Sequence, residues 1–404
     1  MNKIIAFLWM IAIGTNAAQY YSQEAAYQGV IILVGAVYFL FIFRRQLLNF
    51  IFFKDYLFVL FILVYPLFLM MTSIHSFERG TYTSLIGVVM VFLVASILRS
   101  EFKGTIILSI SVVVVVGVTL NLYELFIENN IWSTAPGRSA GFYVNPNISS
   151  SAILGYGLTI LLSRTGKIDI IDQILISLIF IGVFVTFSRA GIISATICIA
   201  IFIAVRVNRK YLLRIIMISL SVMVIALLSS SYIYHNMPLS FAAKNRLDSL
   251  IKTDLFDNYN ETRGRLALDS VNTIKNPFTG EGVRTVSNMI EGPHNMFIAI
   301  MIDYGYLGLF FYLAFIARLI MIASYSALKI SEPLWFFILW LCLFSLASHN
   351  LLEEIATIPI LGFAMSRAYQ QINIIKRHLI NDRQQYANQY SDDQPPIPPN
   401  CRRI

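Results

Sequence analysis

The sequence predicts an all-α polytopic membrane protein with about twelve spanning helices and one large outward loop carrying short helices. Three observations predict it. The 404 residues are 57% hydrophobic and only 13% charged, with a mean hydropathy of +0.70; a soluble domain carries about 25% charged residues. Apolar runs of ~16–23 residues recur along most of the chain, and crossing the hydrocarbon core takes ~20. The basic residues also sort onto alternate connections. A soluble fold with a very large core is excluded because too little polar surface remains to cover it.

The spans are expected near 4–18, 28–43, 55–72, 82–98, 104–126, 148–163, 168–187, 190–205, 212–232, 295–323, 334–349 and 353–369. The opening stretch, with Lys3, a short apolar run and small residues near Ala17, also has the outline of a signal peptide. It reads as the first span because the alternation of charge needs a helix there. Residues 1–126 then form an N-terminal group of helices. Residues 127–325 form a core with a loop at 233–294, and 326–375 a C-terminal group. Residues 376–404 are polar, with prolines near the end, and are expected to be a disordered tail.

Numbering the connections alternately places Arg44, Arg45, Lys54, Arg99, Lys103, Arg164, Lys167, Arg206, Arg209, Lys210, Arg318, Lys329 and the basic tail on one side. The positive-inside rule makes that side cytoplasmic, with both termini. Arg79, Arg138 and Arg189 fall opposite, with Lys244, Arg246, Lys252, Arg263, Arg265, Lys275 and Arg284 in the long loop, where the rule has little force. The formal net charge of +8 reflects this bias and contact with anionic lipid; it is no argument for nucleic acid. Cys198, Cys342 and Cys401 are scattered and form neither a CxxC nor a metal spacing. No internal repeat stands out, which weighs against a secondary transporter.

Chemistry is expected on the two long outward connections, 127–147 and 233–294. In the first, Arg138 precedes Asn145-Pro146-Asn147, and Asn147 with Ser149 and Ser150 reads as a helix N-cap region, a place that favours anions. A plain proline turn is the alternative. Ser188-Arg189 joins two apolar runs with almost no loop between them. An arginine there either snorkels to headgroups or faces an internal cavity. Further on, Arg263 or Arg265 opens an amphipathic helix with Leu266, Leu268, Val271 and Ile274 on its apolar side; Pro277 ends it, and Gly280 and Gly282 turn the chain. An arginine in a first helical turn opposes the helix dipole, so its position asks for another cause. A solvated loop charge is the bland reading.

His294 stands after Pro293 at the mouth of an apolar run, beside Asn295, and can serve as a general base near neutral pH. Alone it would more often be an interfacial side chain. His75, His235 and His378 are weaker candidates, and His349 with Glu353 and Glu354 is a second, smaller cluster. Asp303 to Gly308 are expected to break the helix that His294 begins, leaving a short re-entrant or tilted piece before a span at about 307–324.

Taken together, RSAGFYVNPN at 138–147, SRAG at 188–191, the arginine, helix and NPFTGEG unit at 263–282, and His294 followed by Gly305 resemble the O-antigen ligase and polymerase superfamily of bacterial envelope glycosyltransferases. The resemblance covers roughly 130–325; Asp269 stands near a position where the family carries an aromatic. It implies a GT-C-like fold in the inner membrane and transfer of a glycan from undecaprenyl diphosphate to a hydroxyl at the periplasmic face. The acceptor is lipid A-core for a ligase or a second lipid-linked repeat for a polymerase. It further implies that Arg189 and Arg263 or Arg265 hold the diphosphate, that Arg138 assists, and that His294 takes the acceptor proton. Asn147, Asn295 and Gly305 would support them. No metal or other cofactor is implied, and a chain-length regulator is a conceivable partner. A flippase for the same lipid and a non-catalytic scaffold are the rival readings from other classes.

Overall fold

A computed structural model describes residues 2–17, 25–48, 91, 93–127, 131–164, 166–206, 239–251, 257–272, 274–282, 285–286, 289, 292–325, 328–348, 351 and 354–391. Every regular element among them is helical: α1 (Asn2–Gly14), α2 (Ala25–Leu48), α3 (Lys103–Phe126), α4 (Pro146–Ser163), α5 (Ile170–Val185), α6 (Arg189–Arg206), α7 (Phe241–Ile251), α8 (Asp257–Asn272), α9 (Met296–Ser324), α10 (Leu328–Ser345) and α11 (Ile358–Ser391). The expected spans at 55–72 and 212–232, most of 82–98, and the His349–Glu353 cluster lie outside the described residues. The remaining spans coincide with helices.

The central post is α4. All but two of its residues are buried, and it packs against α3, α5, α6, α10 and α11. A helix apolar on every side finds a place only inside a bundle. Its polar groups find partners within the helix and across the bundle: Ser151 Oγ donates to the Ile148 carbonyl at 2.9 Å, Tyr156 Oη donates to the Ala356 carbonyl, and Trp340 Nε1 of α10 donates to the Ser151 carbonyl at 3.0 Å. Outward from it, α1 packs on α2 and α3, and α9 on α10 and α11. Three described helices are long and apolar enough to cross a membrane: Lys103–Phe126, Arg189–Arg206 and Met296–Ser324.

The last of these is not one straight rod. Gly305 has φ 66° and ψ −168° inside α9. Phe297 and Tyr312 are fifteen positions apart, which in an unbroken helix is ~22 Å, yet their rings lie 5.6 Å apart. The segment therefore bends sharply at Gly305. The part able to span is Tyr306–Ser324, whose 19 residues rise ~28 Å. The expected break is present, at Gly305 alone; Gly308 sits buried within regular helix.

Among the described residues, several charged side chains gather at one end of the bundle. At the predicted inner end, Arg164 meets Asp169 at 2.5 Å and Asp172 at 2.7 Å, and Arg206 meets Glu332 at 2.9 Å while donating to the Arg164 carbonyl. Asp169 and Asp172 form a capping box at the head of α5. The Asp172 backbone N–H, helped by Arg164, holds the Asp169 carboxyl below its usual range. Arg367 of α11 donates to the Leu162 carbonyl at the same end.

Two expectations need correction. The tail read as disordered from 376 is helical to Ser391, because α11 continues without interruption. Residues 376–391 contain no glycine or proline and several strong helix formers. Arg263 and Arg265 do not open the amphipathic helix either. It starts at Asp257, an acid that suits a helix N-terminus, so both arginines lie beyond the first turn and the dipole argument against them lapses.

Candidate functional site

The connection between α3 and α4, described from residue 131, is organised by one carboxylate that the sequence reading passed over. Glu124, in the last turn of α3, is 1% exposed. Its Oε1 accepts from the Trp132 and Ser133 amides at 2.9 and 2.5 Å, and its Oε2 from the Ala140 and Gly141 amides at 2.7 and 2.9 Å. The loop carrying Arg138 is thus tied at both feet to the end of a spanning helix. Beyond it, Tyr143 Oη donates to the Gly14 carbonyl at 2.7 Å, fixing the same segment to the end of α1.

The helix cap is Asn145, not Asn147. Asn145 has extended backbone, its side chain accepts from the Asn147 amide at 2.9 Å, and Pro146 takes the first helical position. Proline favours that position because its missing N–H would find no partner there. Asn147, one residue inside, has a different task. Its Oδ1 accepts from Arg138 Nη2 at 2.9 Å and from Ser188 Oγ at 2.9 Å. Arg138 Nε donates to the Thr186 carbonyl at 3.2 Å.

Ser188 completes the arrangement. Between α5 and α6 the chain reverses over Thr186 and Phe187, the latter at φ 47°. Ser188 Oγ also accepts from the Gly191 amide at 3.2 Å and so caps α6, whose first residue is the half-buried Arg189. Arg138 and Arg189 accordingly stand at the joined N-termini of α4 and α6. Guanidinium groups and helix starts are each features that favour an anion, and two of each meet at this corner.

The second group is built on α9. Asn295 caps it, its side chain accepting from the Phe297 and Ile298 amides at 2.9 and 3.3 Å. His294, just before, is exposed. The backbone groups freed by the break at Gly305 are taken up by the NPFTGEG segment. The Glu281 and Gly282 amides donate to the Ile302 and Asp303 carbonyls at 2.7 and 3.2 Å, and the Tyr306 and Leu307 amides donate to the Pro277 and Phe278 carbonyls at 2.8 and 3.3 Å. The buried Asp303 carboxylate accepts from the Val286 amide at 2.9 Å.

A Cβ on Gly305 would fall 2.3 Å from the Phe278 oxygen, and one on Gly280, at φ 76°, 2.5 Å from the Asp303 carbonyl. The two glycines are where loop and broken helix touch backbone to backbone. Broken helices are tolerated at membrane depth when the freed groups find partners in this way. The amphipathic helix α8 packs against α9, and Ile274 beyond its end joins an apolar cluster with Val286, Ala299 and Ile302. Arg265 is exposed on α8; Arg263 is helical, and its side chain lies outside the described residues.

The structure therefore gathers the expected residues into two assemblies: Arg138, Asn147 and Arg189 at the heads of α4 and α6, and His294, Asn295 and Gly305 on α9 with α8 beside it. Met296 and Ile300 of α9 enter the same apolar core as Ile148 of α4. Among the described residues, no three His, Cys, Asp or Glu side chains come together as a metal ion would need.

The model of the O-antigen ligase family matches residues 174–313. The match contains Arg189, Arg263, Arg265, His294 and Gly305, and begins after Arg138 and Asn147. No curated protein matches the chain. A solved structure described as "Structural coordination of polymerization and crosslinking by a peptidoglycan synthase complex" is 15% identical, covering 78% of this chain and 97% of that one with a TM-score of 0.44.

Proposed function

From a chain whose residues 174–313 match the O-antigen ligase family, we propose a membrane glycosyltransferase that moves a glycan from undecaprenyl diphosphate to lipid A-core at the periplasmic face of the inner membrane. Glycosyl transfer of the ligase and polymerase type is supported by the family match. The lipid donor, the core acceptor and the sidedness are our reading. The observation that carries it is the placing of Arg138 and Arg189 at two helix N-termini, held together by Asn147 and Ser188. This corner suits a lipid-linked diphosphate better than it suits a neutral sugar.

In this reading the acceptor oxygen attacks the anomeric carbon of the donor glycan. The bond from that carbon to the diphosphate oxygen breaks, and undecaprenyl diphosphate leaves with the electron pair. Arg138, Arg189 and Arg263 or Arg265 bind the leaving diphosphate and stabilise the charge it gains. Planar guanidinium forks bond two oxygens at once and stay charged, so they serve this role without a metal ion. His294 takes the acceptor proton and passes it to solvent. The break at Gly305 and its stitching to the NPFTGEG segment hold the head of α9, and with it His294, in a fixed place.

The test is deletion of the gene in the source bacterium, with lipopolysaccharide and lipid-linked glycan resolved by gel. Long glycan left on undecaprenyl diphosphate, with bare lipid A-core, is the expected result. Core capped by a single repeat, without a ladder, would make the protein a polymerase. Complementation with His294→Ala should leave the defect in place, since loss of a positioned acid–base group costs ~10²–10⁴ in rate. Full restoration by that variant would remove His294 from the mechanism.

A further inference from the structure

We propose that Glu124 is a positioning residue for the diphosphate site, acting through Arg138; this rests on the donor reading above. The geometry is specific. A single buried carboxylate receives four backbone N–H groups, two from residues 132–133 and two from residues 140–141. Those are the two feet of the loop whose middle carries Arg138. Between the feet the loop has little other freedom. Gly137, at φ 72°, lies so close to the α7 backbone that a Cβ would be 2.3 Å from the Ala242 carbonyl carbon. Gly141, at φ 54°, lies against Asn121 of α3. Trp132 sits between Tyr123, tilted against it, and Phe142, edge-on to it, with ring centroids 5.9 and 5.4 Å away.

An ionised carboxylate is the side chain that can do this. It is acceptor-only, with about four lone-pair sites on two oxygens. Glutamine has one acceptor oxygen, and its NH₂ would face two amides that also donate. Glu124→Gln therefore keeps the shape and frees one foot of the loop. Once that foot moves, Arg138 can no longer reach both the Thr186 carbonyl and Asn147 Oδ1, the contacts that set its guanidinium beside the head of α6. The carboxylate itself is committed to the loop backbone, so its influence on a bound diphosphate passes through the arginine it positions.

The experiment measures binding of undecaprenyl diphosphate, without glycan, to the detergent-purified full chain. Wild type, Glu124→Gln, Arg138→Ala and the double variant are compared, with monodispersity and Tm followed for each. Loss of one charge-assisted contact predicts that either single change weakens Kd by about tenfold. If Glu124 acts through Arg138, the double variant binds no more weakly than Arg138→Ala alone. A merely structural residue would not show that non-additivity. The proposal is overturned if folded Glu124→Gln keeps the wild-type Kd, or if the two losses multiply. Wild type that fails to bind the lipid would instead overturn the donor reading. If Glu124→Gln yields too little folded protein, Glu124→Asp replaces it: it keeps the charge but draws the oxygens back by one methylene. An unchanged Kd for that variant counts equally against the proposal.

Discussion

The two ends of the bundle use their arginines in opposite ways. At one end Arg164 and Arg206 are matched to carboxylates, Asp169, Asp172 and Glu332. At the other, the contacts of Arg138 include two uncharged oxygens, the Thr186 carbonyl and Asn147 Oδ1. Glu124, at the end of the helix before that loop, accepts from backbone amides. Pairing with a carboxylate neutralises a cation and ties two helices together. Contacts with neutral acceptors fix a guanidinium without cancelling its charge. The first end ties helices together, and the second offers the guanidinium to which the proposed function assigns an anion.

The sharpest way to break this contrast is to remove one charge at each end. Arg189→Ala should lower transfer by about 10²–10³, the usual cost of losing one donor aimed at developing charge, with folded protein recovered in normal amount. Glu332→Ala should do the reverse. Arg206 and Glu332 have side chains only 9% and 11% exposed, and removing one partner of such a pair costs about 3–5 kcal/mol because the other charge stays buried. The measurement is transfer per mole of folded protein together with Tm. Equal loss of specific activity in both variants would dissolve the distinction between the ends.

A second prediction concerns the break in α9. Gly305→Ala meets a backbone conformation essentially reserved for glycine, at a cost of about 1–3 kcal/mol before any overlap with the Phe278 carbonyl is counted. We expect a lower Tm and faster proteolysis within 274–286, because the loop amides lose the Ile302 and Asp303 carbonyls together. An unchanged Tm would mean that loop and helix are not locked to each other.

The fold was largely legible in the sequence because lipid leaves few options. A spanning segment must be helical and apolar, and both properties appear in composition. Gly305 was legible as a break for the same reason: a glycine beside Asp303 inside an apolar run needs partners from elsewhere. Which partners was not legible, since NPFTGEG and the helix meet only in three dimensions, through backbone groups that carry no side-chain signal. Glu124 escaped notice on similar grounds. It is one acid at the end of an apolar run, and all four of its partners are main-chain amides. The helical stretch 376–391 was masked by its polarity, although its residues are good helix formers. The cap was misassigned although its signal was present: Pro146 marks the first helical position and so points to Asn145.

That misassignment supplies the smallest and most discriminating prediction. Asn145 and Asn147 are two residues apart, chemically identical and equally suited by type to capping. Asn145→Ala removes an N-cap bond and should cost about 1 kcal/mol, read as a modest fall in Tm. The contacts among Arg138, Asn147 and Ser188 do not pass through it, so the apparent KM for the lipid donor should hold. Asn147→Ala leaves the cap in place, since its amide still donates to Asn145 Oδ1. It removes the oxygen on which Arg138 Nη2 and Ser188 Oγ converge. The stability loss should be comparable, but donor KM should rise several-fold as Arg138 loses that contact. If KM moves for Asn145→Ala and not for Asn147→Ala, the corner between α4 and α6 is a helix cap and nothing more.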